Sequence, residues 1–224
     1  FLELHVEQGP VLEEAGTTIG IVTGVQGISW TEYRVTGTSN HAGTTPMRLR
    51  HDAGFVATAI TPEARRLADG LGGDQVATVG VTELRPTLVN VIANHARITV
   101  DLRNTTENIL QQAEASMTQY IAKLAAIEGV EVASRSLARF SPVEFNPDVM
   151  NLIETTANER GYACQRLPSG AGHDAQMFAP NCPTGMIFVP SQGGISHNVK
   201  EFTAAVEIDA GLDVLTQVVL QLTE

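Results

Sequence analysis

Cysteine is scarce in this chain. The 2 residues, Cys164 and Cys182, are far apart and lack CxxC spacing, so neither a zinc ribbon nor a disulfide framework is indicated, and a reducing, cytoplasmic setting fits. Positive charge is scarce too. Only 14 Lys and Arg stand against 25 Asp and Glu, giving a formal net charge of -11 and an isoelectric point near 4.9. Phosphate binding needs clustered cations, so neither nucleic acid nor an anionic membrane surface is an expected partner. No apolar run approaches the roughly 20 residues that span a bilayer, and no basic segment precedes an apolar h-region. Internal repeats and low-complexity segments are also missing. What remains is a chain of 224 residues with 43% hydrophobic content, enough for one large domain or two small ones around a real core.

The opening stretch FLELHVEQGP reads as a strand. Alternation puts Leu2, Leu4 and Val6 on one face and Glu3, His5 and Glu7 on the other, a face that serves equally as a solvated edge or as a row of ligands. Pro10 suits the first turn of a short helix through Glu14, with Gly16 as its stop. Strand material follows, broken at Gly24 and Gly27, with a strand from Ile28 to Val35. From Met47 to Ala68 the pattern is helical, with Pro62 kinking that helix or starting a new one. Two strands, QVATVGVTEL and ARITVDLR, precede the clearest amphipathic helix, in which Ile109, Leu110, Ala113, Met117, Tyr120, Ile121 and Leu124 recur at helical spacing and Gly129 closes the element. VEVASRSLARF is a further strand.

Strand, helix, strand, strand, helix, strand is the ferredoxin-like order, here over residues 24–136. SPVEFNPD reads as a return linker. Beyond it the chain alternates a helix from Pro147 to Arg160, a strand near Cys164, the loop SGAGHDAQ, the apolar strand TGMIFVP, the loop SQGGISHN and a helix from about Thr203 to Leu222. Strands alternating with helices suggest a parallel sheet with its sites in loops at strand ends. The fold class is therefore α/β plus α+β.

His5 and His197 both lie at strand ends, and neutral imidazole is a common ligand for zinc and similar ions. Two ligands are too few, so Glu3, Glu7 or Asp174 would have to contribute. Spacing alone leaves this open.

ELHVEQGPVLE, GTSNHAGTTPM, NVI followed by VDLRN, SGAGHDAQ and GGISHN, in this order, resemble the amidase family of hydantoinase/carbamoylase type, which contains N-carbamoyl-L-amino-acid hydrolases, allantoate amidohydrolases and β-ureidopropionases. The resemblance runs over essentially the whole chain. It implies a metallopeptidase-like catalytic domain, represented here in part by residues 1–23 and 137–224, interrupted by a ferredoxin-like lid and dimerisation domain at 24–136. It also implies a preceding segment that carries further metal ligands and the general-base glutamate, so this chain is expected to be the C-terminal part of such an enzyme, incomplete as a catalyst. On that reading the isolated chain is a dimerisation and substrate-clamping module.

The resemblance further implies roles residue by residue. His5 and His197 are ligands of the two divalent metal ions, with zinc the default and manganese, cobalt or nickel the alternatives. Gln8 contacts a ureido group, or else caps the helix at Pro10. His41 is the catalytic, substrate-contacting lid histidine that meets a developing oxyanion, or else a turn histidine. Asn90 and Arg103 bind the substrate carboxylate, supplied across the dimer to the partner's active site and converging on a pocket with His41; their competing roles are a strand-end salt bridge with Asp101 or a loop hydrogen bond. Gly172 and His173 let backbone approach the substrate, or else form a tight turn before a helix. His51 and His95 are surface residues. The implied partners are a small ureido amino acid and a second copy of the chain.

Overall fold

The computed structural model describes residues 1–223. Its elements are β1 (Leu2–Val6), α1 (Val11–Ala15), β2 (Ile19–Val25), β3 (Gly27–Thr36), α2 (Ala53–Leu71), β4 (Val76–Arg85), β5 (His95–Asn104), α3 (Glu107–Glu128), β6 (Glu131–Phe140), β7 (Val143–Glu144), α4 (Pro147–Glu159), β8 (Cys164–Ser169), α5 (Asp174–Phe178), β9 (Gly185–Val189) and α6 (Ala205–Thr223). The fold is mixed α/β with two sheets, divided into two compact units: residues 1–26 with 143–224, and residues 27–142. These boundaries lie a few residues beyond 23/24 and 136/137, because β2 stays paired in its own sheet through Val25 and β6 stays paired with β3 as far as Phe140.

In the first unit β9 is the apolar centre. Its five residues are all buried because it is flanked on both sides, by β1 in parallel and by β2 antiparallel. The opposite side of β2 takes β8 in parallel, and past the end of β9 the β9-facing side takes β7 antiparallel at Gly24 and Val25. The sheet is thus mixed and not purely parallel as expected: the short α1 connection returns the chain in the opposite sense, with β9 slotted between β1 and β2. Helix α4 starts where the Asn146 side chain accepts from the N–H groups of Asp148 and Val149, replacing partners that a helix start lacks. Helix α6 comes close to the sheet at Gly211, where an added Cβ would stand 2.6 Å from Val189 Cγ1 and 2.7 Å from Leu4 Cδ1.

In the second unit the sheet order is β4-β5-β3-β6, every neighbour antiparallel. Along β5, Ala96, Ile98, Val100 and Leu102 are buried in one core with Tyr33 and Val35 and with the apolar faces of α2 and α3. The alternate residues His95, Arg97, Thr99, Asp101 and Arg103 take the other face. Helix α3 buries Leu110, Ala113, Met117, Ile121 and Ala125; four of these belong to the expected stripe, whose Ile109, Tyr120 and Leu124 are half-buried at its margins.

Two local expectations change. Met47–Leu49 is an isolated 3-10 turn, and α2 begins only after Asp52, whose carboxylate accepts from the N–H groups of Gly54 and Phe55. Pro62 neither ends nor restarts α2. Pro62 has no N–H to offer the Thr58 carbonyl, and both residues lie on the exposed side of the helix, where water can take that role. No helix among the described residues is long and apolar enough to cross a membrane.

Candidate functional site

On the first unit's sheet, β1 presents Glu3 and His5 to the loop that follows β8. Their ligand atoms and one of His173 all lie within 4.8 Å of one another. His5 Nδ1 is 2.8 Å from the Val6 carbonyl. A carbonyl only accepts, so Nδ1 carries a proton, and in the neutral tautomer this leaves the lone pair on Nε2, the arrangement expected of a ligand imidazole. His173 is nearly sealed from solvent, with 2% of its side chain exposed, its ring edge-on to His5 at 4.7 Å and to Phe188 at 5.6 Å. Burial, with a smaller push from His5, holds its pKa down to about 4, so it is neutral at pH 7.

The two side chains beside His5 are oriented from behind. Glu3 Oε2 accepts from Ala175 N at 2.7 Å, leaving Oε1 facing His173 Nδ1 at 3.6 Å. His173 Nε2 is 2.8 Å from Ser169 Oγ, and Ser169 Oγ is in turn 3.0 Å from the Ala171 carbonyl. With the hydroxyl proton on that carbonyl, Nε2–H donates to Ser169 and Nδ1 turns a lone pair toward the Glu3 carboxylate. Two imidazoles and one carboxylate, meeting within ligand distance of one another, are the donor set of a borderline divalent cation. The residues present therefore fit a metal.

Sequence reasoning raised Glu3 only as an extra ligand, and it read His173 for its backbone. Glu7 is not available. Its side-chain oxygens accept from Val11 N at 2.8 Å and Leu12 N at 2.9 Å, so it closes the start of α1. Gly172 is not forced to be glycine by crowding, since an added Cβ would find its nearest neighbour at an ordinary 3.6 Å.

His197 stands outside this cluster of ligand atoms. It belongs to a second constellation in the same unit, built on Gln8. Among the described residues, Gln8 (φ 59°) and His197 (φ 53°) are the non-glycine residues with positive φ, a left-handed geometry that costs free energy and that clusters at working sites. Their segments are tied together. Gln8 N donates to Ser191 Oγ at 3.0 Å and Gln8 Nε2 to Ser196 Oγ at 3.2 Å, while His197 N donates to Glu201 Oε2 at 2.9 Å. The imidazole of His197 is exposed.

In the second unit, His41 and Asn90 are neighbours. Ala42 N donates to the Asn90 carbonyl at 2.9 Å, and His41 bridges Val91. His41 Nδ1 accepts from Gly43 N at 3.0 Å and Thr44 N at 3.2 Å. That fixes the proton of a neutral ring on Nε2, which becomes an exposed donor. Arg103 differs from expectation. Its Nε and Nη2 are on Asp101 at 3.0 and 2.7 Å, and its guanidinium carbon lies 5.8 Å from the Trp30 ring centroid. Alternation makes this pair, since residues two apart on a strand share a face. Nor do Asn90, His41 and Arg103 converge within one chain. The 86–94 loop adjoins the His95 end of β5, where Gly37 N donates to the Asn94 carbonyl; Arg103 pairs with Ile28 and Val76 near the other end, roughly 27 Å along the strand at its usual rise.

Residues 1–221 match the family model described as peptidase family M20/M25/M40. The chain is 37% identical to an N-carbamoyl-L-amino acid amidohydrolase of Geobacillus stearothermophilus, covering 100% of this chain and 54% of that protein. It is 35% identical to an allantoate amidohydrolase of Bacillus subtilis, over 99% of this chain and 54% of the relative. Among solved structures, an amidase of the hydantoinase/carbamoylase family from Burkholderia multivorans superimposes with a TM-score of 0.94 at 39% identity, covering 98% of this chain and 54% of that one. The chain spans about half the length of the curated relatives it matches.

Proposed function

Since this chain belongs to the peptidase family M20/M25/M40, we propose that it forms part of a metal-dependent amidohydrolase that cleaves the C–N bond of a ureido group on an N-carbamoyl-L-amino acid. The observation that carries this reading is the meeting of Glu3, His5 and His173, three ligand-type side chains on a hydrolase scaffold. Allantoate is the second substrate reading, favoured by the match to the B. subtilis relative.

His5, with Glu3 and His173 beside it, would hold one divalent ion, and His197 is proposed as a ligand of the other. Zinc is the default, with manganese, cobalt or nickel as alternatives. A bound metal would polarise the carbonyl and acidify water. This chain's residues bind and orient. Gln8, with its amide near Ser196, is proposed to meet the ureido group. The exposed Nε2–H of His41 suits donation to a developing oxyanion. Gly172 and His173 are proposed to let backbone approach the substrate, while the ring of His173 faces the metal-ligand cluster.

Asn90 and Arg103 are retained as carboxylate binders, Arg103 by exchanging Asp101 for the substrate. Because Arg103 and His41 lie far apart along one sheet, they can serve one substrate only from two copies of the chain. A homodimer, in which the βαββαβ unit acts as a ferredoxin-like lid and dimerisation domain, is therefore part of the proposal, as is a cytoplasmic location. Alone, with the donors described here, the chain is expected to hold metal weakly and to show no turnover, acting as a clamping and dimerisation module.

The test is a chimera in which this chain replaces the segment it matches in the G. stearothermophilus relative. With zinc or manganese added, ammonia release from an N-carbamoyl-L-amino acid is expected, falling by about a hundredfold or more in His5→Ala. A folded chimera that turns over neither a carbamoyl amino acid nor allantoate overturns the reading.

A further inference from the structure

The chain has few cations, and it gathers several of them where no catalytic reading uses them. The helix-free face of the second unit's sheet carries Arg34, Arg85, Arg97 and Arg135 at the His95 end. Arg34 stands directly opposite Arg97 in the β3–β5 register, and Arg85 opposite His95 in the β4–β5 register. Like charges facing across a sheet are unfavourable without a counter-charge.

Part of that counter-charge is internal. Glu32, only 2% exposed, takes Arg34 at 2.9 Å, Arg97 at 3.2 Å and Arg135 at 3.4 Å, and Glu83 takes Arg97 at 3.1 Å. Three guanidinium groups share these two carboxylates, and with Glu131 opposite Thr36 on the same face four arginines still stand against three acids. Among the described residues Arg85 makes no ion pair; it donates to the Leu84 carbonyl at 3.2 Å, and its charge reaches Glu83 only at longer range. Beside it lies a hollow of about 220 Å³, floored by Val35 and Ala96 and rimmed by Arg34, Thr36, Glu83, Arg85, His95 and Arg97.

We propose that this hollow is a binding site for a small polyvalent oxyanion of phosphate or dicarboxylate type. Guanidinium groups present paired N–H donors that match such oxygens, and an entering dianion would supply the missing counter-charge. Glu32 acts as the resident counter-ion that keeps the arginines together when the hollow is empty. The site is separate from Arg103, which lies about six residue rises along β5, roughly 20 Å away.

Isothermal titration calorimetry of the chain with inorganic phosphate and with succinate, at fixed ionic strength, tests this. Saturable binding of one ion per chain is expected, weakened about tenfold or more by Arg85→Gln or Arg34→Gln. Arg65→Gln, which removes the same charge from the exposed surface of α2, should leave it unchanged. Arg85 is exposed, so its variant should fold, and Trp30 fluorescence checks that it has. Preference for phosphate identifies a tetrahedral ligand and preference for succinate a dicarboxylate; either supports the site. Heats reproduced by chloride at equal ionic strength, unchanged binding in both arginine variants, or equal loss in Arg65→Gln overturns it.

Discussion

Glu32 is buried on a sheet face that three arginines cover. Burial works against its ionisation, but the hydrogen bonds from Arg97 and Arg34 and the charge of Arg135 outweigh this and hold its carboxyl below the usual range. A group whose folded pKa is depressed stabilises the fold above its unfolded value, about 4.3 for Glu, and loses that contribution as pH falls through the folded value. Glu32→Gln should therefore lower the Tm of the second unit at neutral pH, where it leaves the arginines facing each other. The gap from wild type should close as pH drops below about 4. Thermal unfolding followed by Trp30 fluorescence, which reports this unit through the chain's 1 tryptophan, checks both halves; a gap that stays constant with pH contradicts the assignment. His5, Gln8, His41 and His197 can be singled out as candidates in the sequence because they stand in recognisable strings. The ring of His173 cannot, since its place beside His5 depends on β8 and β1 lying in one sheet. Nor can the positive φ shared by Gln8 and His197, which no residue type announces.

Among the elements, α3 was readable because a single buried stripe repeats along it. The neighbours of β9 were not, because an apolar run buried on both faces says nothing about which strands flank it. Asn146 begins α4 by accepting two backbone N–H groups, so Asn146→Ala should cost about 1 kcal/mol and Asn146→Gly only a few tenths. Urea denaturation of the two variants distinguishes a lost cap from lost packing. Gly211 is the point where α6 lies closest to β1 and β9. Gly211→Val pushes branched carbon into Val189 and Leu4 and should cost about 1–3 kcal/mol. An unchanged urea midpoint would show that α6 shifts without penalty.

For the whole molecule, charge divides as the fold does. Arg160, Arg166 and Lys200 are the Lys and Arg residues of the first unit; the second unit's acids and bases balance, so the net charge of -11 belongs to the first. Self-repulsion of that size destabilises a compact state, and salt screens it. Raising sodium chloride from about 0.01 M to about 0.5 M, from a Debye length of about 30 Å to well under 10 Å, should raise the first unit's melting temperature by a few degrees. The second should move less. Far-UV circular dichroism records both units and Trp30 fluorescence only the second, so parallel shifts in the two signals would refute the division.

The second unit also leaves and re-enters its host at adjacent points. A Cβ added to Gly27 would fall 2.7 Å from Pro142 Cδ, so the first and last residues of the insertion touch. On the host side, Gly24 and Val25 are already laddered to Glu144 and Val143. Excising the gene segment for residues 27–142 and rejoining Gln26 to Val143 through a short glycine turn would convert that ladder into a hairpin, without asking either strand to move. The same two cut sites make the insertion exchangeable as a cassette, so that lineages could trade one inserted unit for another while the host sheet is inherited unchanged.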